Sequence, residues 1–283
     1  MKINAKNAIV FFGTLVACAL VSLEVSAQDF KGIATYKSDR DMSNFQFQGQ
    51  GASPDMAEKL KAQLKKQFQK EFELKFNLTE SNWAEAESLD AGPATANSGG
   101  FELSISMGGG MTYKNSSDKT VIQETEAFSK QFLINDELEQ LEWKMTGKTK
   151  KIGNYTAFEA VFQNIREVQS ISMSDEGKKS ETRQDTTNVV AWYTPDIPVP
   201  HGPEDYWGLP GLILELNDGD VTYLCTKVIL NPDKGVAIEI PKKGKKVSAD
   251  EFQKISDEMA AKMMKKYSND GDGEHIMTIS FGN

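Results

Sequence analysis

Five of the chain's nine prolines fall between Pro195 and Pro210, inside the stretch TPDIPVPHGPEDYWGLPGLILEL, Thr194 to Leu216. Proline has no backbone N–H to give to a β-ladder, so this segment cannot lie within a sheet. It reads as a stiff crossover between two strands, Val189–Thr194 and Leu212–Leu216. Pro210 and Gly211 suit the second and third positions of a type II turn over Leu209–Leu212, with Gly211 at positive φ and Gly208 as a further turn residue. Past the turn, Leu212, Leu214 and Leu216 share one side of a strand while Ile213 and Glu215 take the other. Trp192, Tyr193, Tyr206 and Trp207 gather around the crossover. Such aromatics suit two roles, packing the loop over the end of a core or facing a ligand or partner.

The rest of the chain is mostly β in pattern. DFKGIATYKSD, FELKFNLTES, GFELSISMG, GMTYKN, KTVIQETEAF, KQFLINDE and LEWKMTGKTKKIGNYTAFEAVFQ show partial alternation broken by Gly, Asn or Asp. Asn217–Asp220 marks a tight turn before DVTYLCTKVIL, so a hairpin is expected there. Leu89–Gly100 and Ser172–Thr186 read as long loops between strands, the second one charged.

Two segments change period to that of a helix. In SPDMAEKLKAQLKKQFQKEF, Ser53 is an N-cap and Pro54 the first helical residue, and Met56, Leu60, Leu64, Phe68 and Phe72 recur every fourth position. In SADEFQKISDEMAAKMMKKY, Ser248 and Glu251 have capping-box spacing, and Phe252, Ile255, Met259 and Met263 form one face. Both stripes read as core-packing faces.

The N-terminus carries Lys2 and Lys6 ahead of the apolar run AIVFFGTLVACALV, then SLEVSAQ, whose Val25 and Ala27 suit a signal peptidase cutting before Gln28. Residues 1–27 are therefore expected to be an export signal and 28–283 a single domain. The apolar run is short of the ~20 residues that cross a bilayer, so the chain is expected not to span the membrane. A competing reading takes Leu15–Cys18 as a lipobox with Cys18 lipid-modified; the apolar stretch continues past Cys18, as an ordinary signal core does.

The whole chain has a net charge of −9, and loss of the signal makes it one unit more acidic. Such a chain repels nucleic-acid phosphates, and no nucleic-acid partner is expected. Cleavage at Ala27 leaves Cys225 as the sole cysteine, which excludes an intrachain disulfide and a cysteine metal cluster. Within its strand Cys225 reads as a small buried residue. The histidines are His201 and His275. His201 lies near Glu204 and Asp205, so a hydrolase or metal site can be drawn there, but HGPED lacks the register of HExxH, and no GxSxG accompanies it. The acid-rich Ser268–Asn283 lacks the late glutamate of a calcium loop. No cofactor, catalytic residue or metal ligand is expected.

WYTPDIPVPHGPEDYWGLPGLILEL is similar to the signature of the GLPGLI family, secreted proteins of Gram-negative bacteria named for the hexapeptide that stands here as Gly208–Ile213. KIGNYTAFEA, Lys151–Ala160, resembles the family's Gly-Tyr strand, with Asn154 inserted between Gly153 and Tyr155 and Ala157 where many relatives carry cysteine. The family has no established activity. The resemblance implies an α+β, mainly antiparallel β fold, a curved LolA-like half-barrel sheet with two amphipathic helices on it. LolA-type lipoprotein carriers hold a hydrophobic cavity in such a sheet, though fold alone does not set function.

Three functions are in view. The leading one is an exported, non-enzymatic envelope protein holding a lipid, an acyl chain or an apolar peptide, with the chain's methionines lending the pocket adaptability. The alternative is an accessory protein docking an outer-membrane transporter. The third is an enzyme or metal protein built on His201.

Overall fold

The computed structural model describes residues 30–43, 46–48, 53–86, 94–98, 101–105, 110–127, 129–174, 177–269 and 278–280. The chain divides at Phe30–Lys31, and the unit described is the second. The expectations for the export signal, Cys18 and His275 lie outside the described residues, as do the side chains of Met56, Leu60 and Met263.

The first half runs β1 (Gly32–Arg40), β2 (Gln46–Gln48), α1 (Pro54–Phe68), β3 (Glu71–Phe76), β4 (Glu80–Glu85), β5 (Ala94–Ser98), β6 (Phe101–Ile105), β7 (Met111–Asn115), β8 (Thr120–Ala127) and β9 (Lys130–Glu137). The second half runs β10 (Lys144–Ile152), β11 (Tyr155–Ser174), β12 (Gly177–Thr194), β13 (Leu212–Asn217), β14 (Val221–Leu230), β15 (Lys245–Val247), α2 (Ala249–Asn269) and β16 (Thr278–Ser280).

Twelve strands form one open, curved sheet in the order β10-β11-β12-β13-β14-β1-β3-β4-β7-β8-β9-β15. Every pairing in it is antiparallel except β15 on β9. The class is α+β. While β5 and β6 pair only with each other, two meanders flank β1, one of β3, β4, β7, β8 and β9 and the other of β10 to β14. That central place accounts for the regular period of β1: Gly32, Ala34, Tyr36 and Ser38 are buried, and the residues between them are half-buried or exposed. No helix of the described residues is long and apolar enough to cross a membrane.

The helix starts follow the sequence closely. Ser248 Oγ accepts from Glu251 N at 3.2 Å while Glu251 Oε2 accepts from Ser248 N at 3.1 Å, which is the capping box read from spacing. Phe252 then meets Phe132 of β9 edge-on at 5.2 Å. The end of α1 differs from expectation. Leu64 and Phe68 are buried, but the helix stops at Phe68, and Phe72 is a residue of β3 stacked on Trp83 at 4.9 Å. Ser38 ends the helix from outside: its Oγ donates to Phe68 O at 2.9 Å and its N–H to Lys70 O at 2.9 Å. A four-residue period cannot reveal a cap supplied by another strand.

Two expected loops are also partly strand. Ala94–Ser98 pairs with β6, and Ser172–Thr186 lies in the hairpin of β11 and β12, which is paired from Phe158↔Tyr193 to Ser174↔Gly177. Charged residues alternate with others there as readily as in a loop, and cross-strand pairing decides the outcome. The expected turn at Asn217–Asp220 is present, with Gly219 at φ +94°. Cys225 is half-buried, and burial raises its thiol pKa to about 12.

From Leu230 the chain passes as a strap, residues 231–244, to β15 at the far edge of the sheet. Asn82 of β4 holds it as one peptide group holds another. Its Nδ2 donates to Glu239 O at 2.7 Å and its Oδ1 accepts from Glu239 N at 2.6 Å.

Candidate functional site

The crossover Pro195–Gly211 forms a covered segment tied to the sheet. Its exposed residues include Pro195, Asp196, Pro198 and Pro210, while Ile197, Val199, His201, Trp207 and Leu209 are buried. Several main-chain bonds tie the crossover to itself and to β13: Gly208 N donates to Pro200 O at 2.9 Å, Leu212 N to Ile197 O at 2.9 Å and Ile213 N to His201 O at 3.1 Å. The loop therefore covers the start of β13, and Ile213 is as buried as Leu212, Leu214 and Leu216. Ile213, expected on the other side of β13 from the leucines, is buried by that covering loop, against Gly202.

Lys114 organises the centre. It stands on β7, is 1 % exposed, and its Nζ donates to Gly202 O at 3.0 Å, to Tyr206 O at 3.4 Å and to Glu204 O. One ammonium thus satisfies three carbonyls of an irregular loop that has no strand partner for them. Burial lowers the Lys114 pKa to about 8, against the opposing pull of Asp205 and Glu204. Sequence reading passed over this residue because a lysine in GMTYKN looks like any strand lysine; burial of lysine is rare and depends on partners far along the chain.

Glu204 is the loop's strained point. Its φ of +47° lies in the left-handed region, where a non-glycine residue costs about 1–2 kcal/mol. Its carboxylate accepts from Tyr223 OH at 2.8 Å and from the Trp83 indole, and burial raises its pKa. Strain and buried ionisable groups often coincide at functional sites. Here each charged group is satisfied within the fold, and the arrangement fixes the loop on the sheet.

His201 is 1 % exposed. Its Nε2 lies 3.0 Å from Asn77 O, and since a carbonyl only accepts, the neutral ring carries its proton on Nε2. Burial, then the Lys114 charge, push its pKa down to about 3. The ring is held as a neutral strut. Among the described residues no three His, Cys, Asp or Glu side chains are gathered so as to hold a metal ion.

The four aromatics singled out from sequence do not form one cluster. Trp207 is 6 % exposed and donates from Nε1 to Glu139 O at 2.8 Å, while Trp143 Nε1 donates to Trp207 O at 2.8 Å. Tyr206 is half-buried and faces Trp143 at 6.4 Å between ring centres, with Phe162 on the same indole at 5.8 Å. Tyr193 is buried beside Phe158, and its hydroxyl reaches Met145 Sδ at 3.6 Å. Trp192 alternates away from Tyr193, with Lys150 Nζ 4.2 Å above its ring, and that ammonium also pairs with Glu215 at 2.7 Å. Trp143 was missed, and a tryptophan just before a strand gives no local sign that it meets a loop sixty residues on.

The turn residues are corrected. Gly211 is not left-handed; the positive φ belongs to Gly208, at +93°. Gly211 is required for a different reason, since a Cβ there would stand 2.1 Å from Thr194 O and 2.5 Å from its carbonyl carbon. The hexapeptide thus holds one glycine for conformation and one for close approach.

Solved structures similar to the chain include PNGF-II in two crystal forms, at 14 % identity with TM-scores of 0.46 and 0.45. The match covers 80 % of this chain and 32 % of that one, so the chain spans about a third of the length of those structures. No curated protein gives a match. The family comparison falls on the elements just described: residues 143–215, from Trp143 through the crossover to Glu215 of β13, match the family described as "Protein of unknown function (Porph_ging)", the GLPGLI type whose hexapeptide the segment contains.

Proposed function

We propose that the protein is an exported, non-enzymatic protein of the cell envelope that works by docking another protein on its surface. The observation that carries this reading is the crossover itself. The side of the sheet bearing Tyr36, Phe76, Trp83 and Lys114 is where an enclosed ligand would lie, and the crossover's own His201, Gly202 and Glu204 are held against those strands. Tyr36 OH further donates to Ile213 O at 2.6 Å, which ties β1 to the start of β13 where the crossover rejoins the sheet. His201 lends no chemistry to a substrate from a closed position with its proton engaged. Apolar side chains lie instead on the outside, among them Met145, Ile165, Leu224 and Ile240.

The apolar-ligand reading retains one supporting observation. Trp143, Phe162 and Tyr206 make a half-buried aromatic group at the crossover, where an acyl chain has a surface to lie against.

Native mass spectrometry on protein purified from its own host tests both. Export predicts a chain beginning at Gln28, and a diacylated Cys18 replaces the free form with an anchored one. A stoichiometric complex with one protein supports docking. A stoichiometric lipid with no protein overturns it.

A further inference from the structure

The two ends of the sheet are unlike. At one end β15 is three residues long and parallel to β9, and α2 follows it directly. At the other, β10 runs Lys144–Ile152, has β11 as its strand neighbour and is exposed along most of its length. One side of its backbone has no strand partner among the described residues. An exposed edge of this kind is a template for a further strand unless something blunts it.

Two features of β10 select what it can pair with. The first is a bulge: three residues, Thr146, Gly147 and Lys148, stand opposite Glu159 alone, with Gly147 at φ +78°. Glu159 anchors the bulge by accepting from Thr146 Oγ1 at 2.7 Å and pairing with Lys148 Nζ at 2.9 Å. Regular pairing resumes at Thr149, so the part of the edge that presents an unbroken ladder is Thr149–Ile152.

The second is charge. Four lysines, Lys144, Lys148, Lys150 and Lys151, fall in this one strand of a chain whose net charge is −9. Lys148 and Lys150 are committed to Glu159 and Glu215. Lys151 donates to Thr156 Oγ1 at 2.8 Å, which leaves its charge unneutralised, and Lys144 makes no ion pair among the described residues. A second copy of β10 laid on this edge would set lysines against lysines, and like charges on adjacent strands repel. The same lysines favour a strand carrying carboxylates.

We propose that the free edge of β10, over Thr149–Ile152, accepts an acidic extended segment of a partner protein as an added strand. Main-chain hydrogen bonds supply the attraction common to any strand, and Lys151, whose charge no carboxylate neutralises, supplies the preference for an Asp or Glu laid beside it. This rests on the docking function proposed above and names the edge and the partner's chemistry.

The test uses the mature chain and two labelled peptides, one alternating Glu and Val and the other alternating Lys and Val, with anisotropy as the readout. The acidic peptide is expected to bind, to slow amide exchange within Thr149–Ile152, and to weaken as salt rises. Lys151→Glu, at an exposed site within the edge, is expected to weaken it at least tenfold while the lysine peptide gains. Equal binding of both peptides, no binding of the acidic one, protection away from β10, or self-association through β10 in sedimentation overturns the proposal. If the acidic peptide fails while the host-purified complex persists, the edge is wrong and docking stands. A host-purified protein holding lipid and no protein removes docking itself.

Discussion

Gly211 lies so close to Thr194 that a β-carbon on it would sit 2.1 Å from the Thr194 carbonyl oxygen. These residues mark the two ends of the crossover, where β12 leaves the sheet and β13 enters it. Their approach closes the crossover at its base, and Tyr193↔Ile213 and Thr194↔Leu212 pair directly beside it.

Gly211→Ala is accordingly expected to destabilise the protein by at least about 1–3 kcal/mol, as overpacking against an immobile backbone does. Gly153→Ala is the control: φ is +56° there with open space around the site, and the cost is expected to stay near 1 kcal/mol. Urea midpoints of the two variants check the order. A Gly211→Ala protein as stable as wild type removes the close-approach account.

Trp207→Ala is expected to lower stability by about 3–5 kcal/mol, because the ring is buried and its N–H holds Glu139 O. The same measurement separates packing from binding. If stability moves by less than about 1 kcal/mol while a co-purifying partner is lost, Trp207 belongs to a surface and not to the core.

His201 makes stability depend on acidity. Its pKa is about 3 in the fold against an ordinary value of 6.5, so below pH 6.5 the unfolded chain takes up a proton that the folded one refuses. Its contribution is full above pH 6.5 and is lost progressively as pH falls towards 3, at up to about 1.4 kcal/mol per pH unit. The stability gap between wild type and His201→Gln should narrow over that window in urea titrations at stepped pH. A gap that is constant from pH 7 to pH 4 shows the ring to be open to protonation.

Asn82→Ala removes both hydrogen bonds to Glu239 and leaves the strap without its side-chain clamp to β4. Hydrogen exchange is expected to rise tenfold or more across residues 236–241 and to stay unchanged in β1 and β13. Uniform acceleration over the whole sheet contradicts a local clamp.

Signals confined to a few consecutive residues carried through from sequence to structure. The capping box at Ser248 and Glu251, the turn at Asn217–Asp220, the two-residue period of β1 and the proline-bound crossover each depend on neighbours within one turn or strand. Backbone sterics and missing donors act at that range, so a single sequence suffices. The GLPGLI hexapeptide belongs with them, since a run of identities is read without any knowledge of contacts.

What tertiary structure alone decided has a common cause in groups distant along the chain. Ser38 ended α1 and moved Phe72 into β3; β13 and Thr194 set the demand on Gly211; Glu139 and Trp143 claimed Trp207. Lys114 was decided most completely by its surroundings. An ammonium can be buried only where acceptors converge, and its acceptors lie on Gly202, Glu204 and Tyr206, some ninety residues away. Local pattern marks most strands and both helices, while cross-strand pairing made strand of Ala94–Ser98 and the β11–β12 hairpin. The carbonyls that close around Lys114 exist only once β7 and the crossover have been brought together by the sheet.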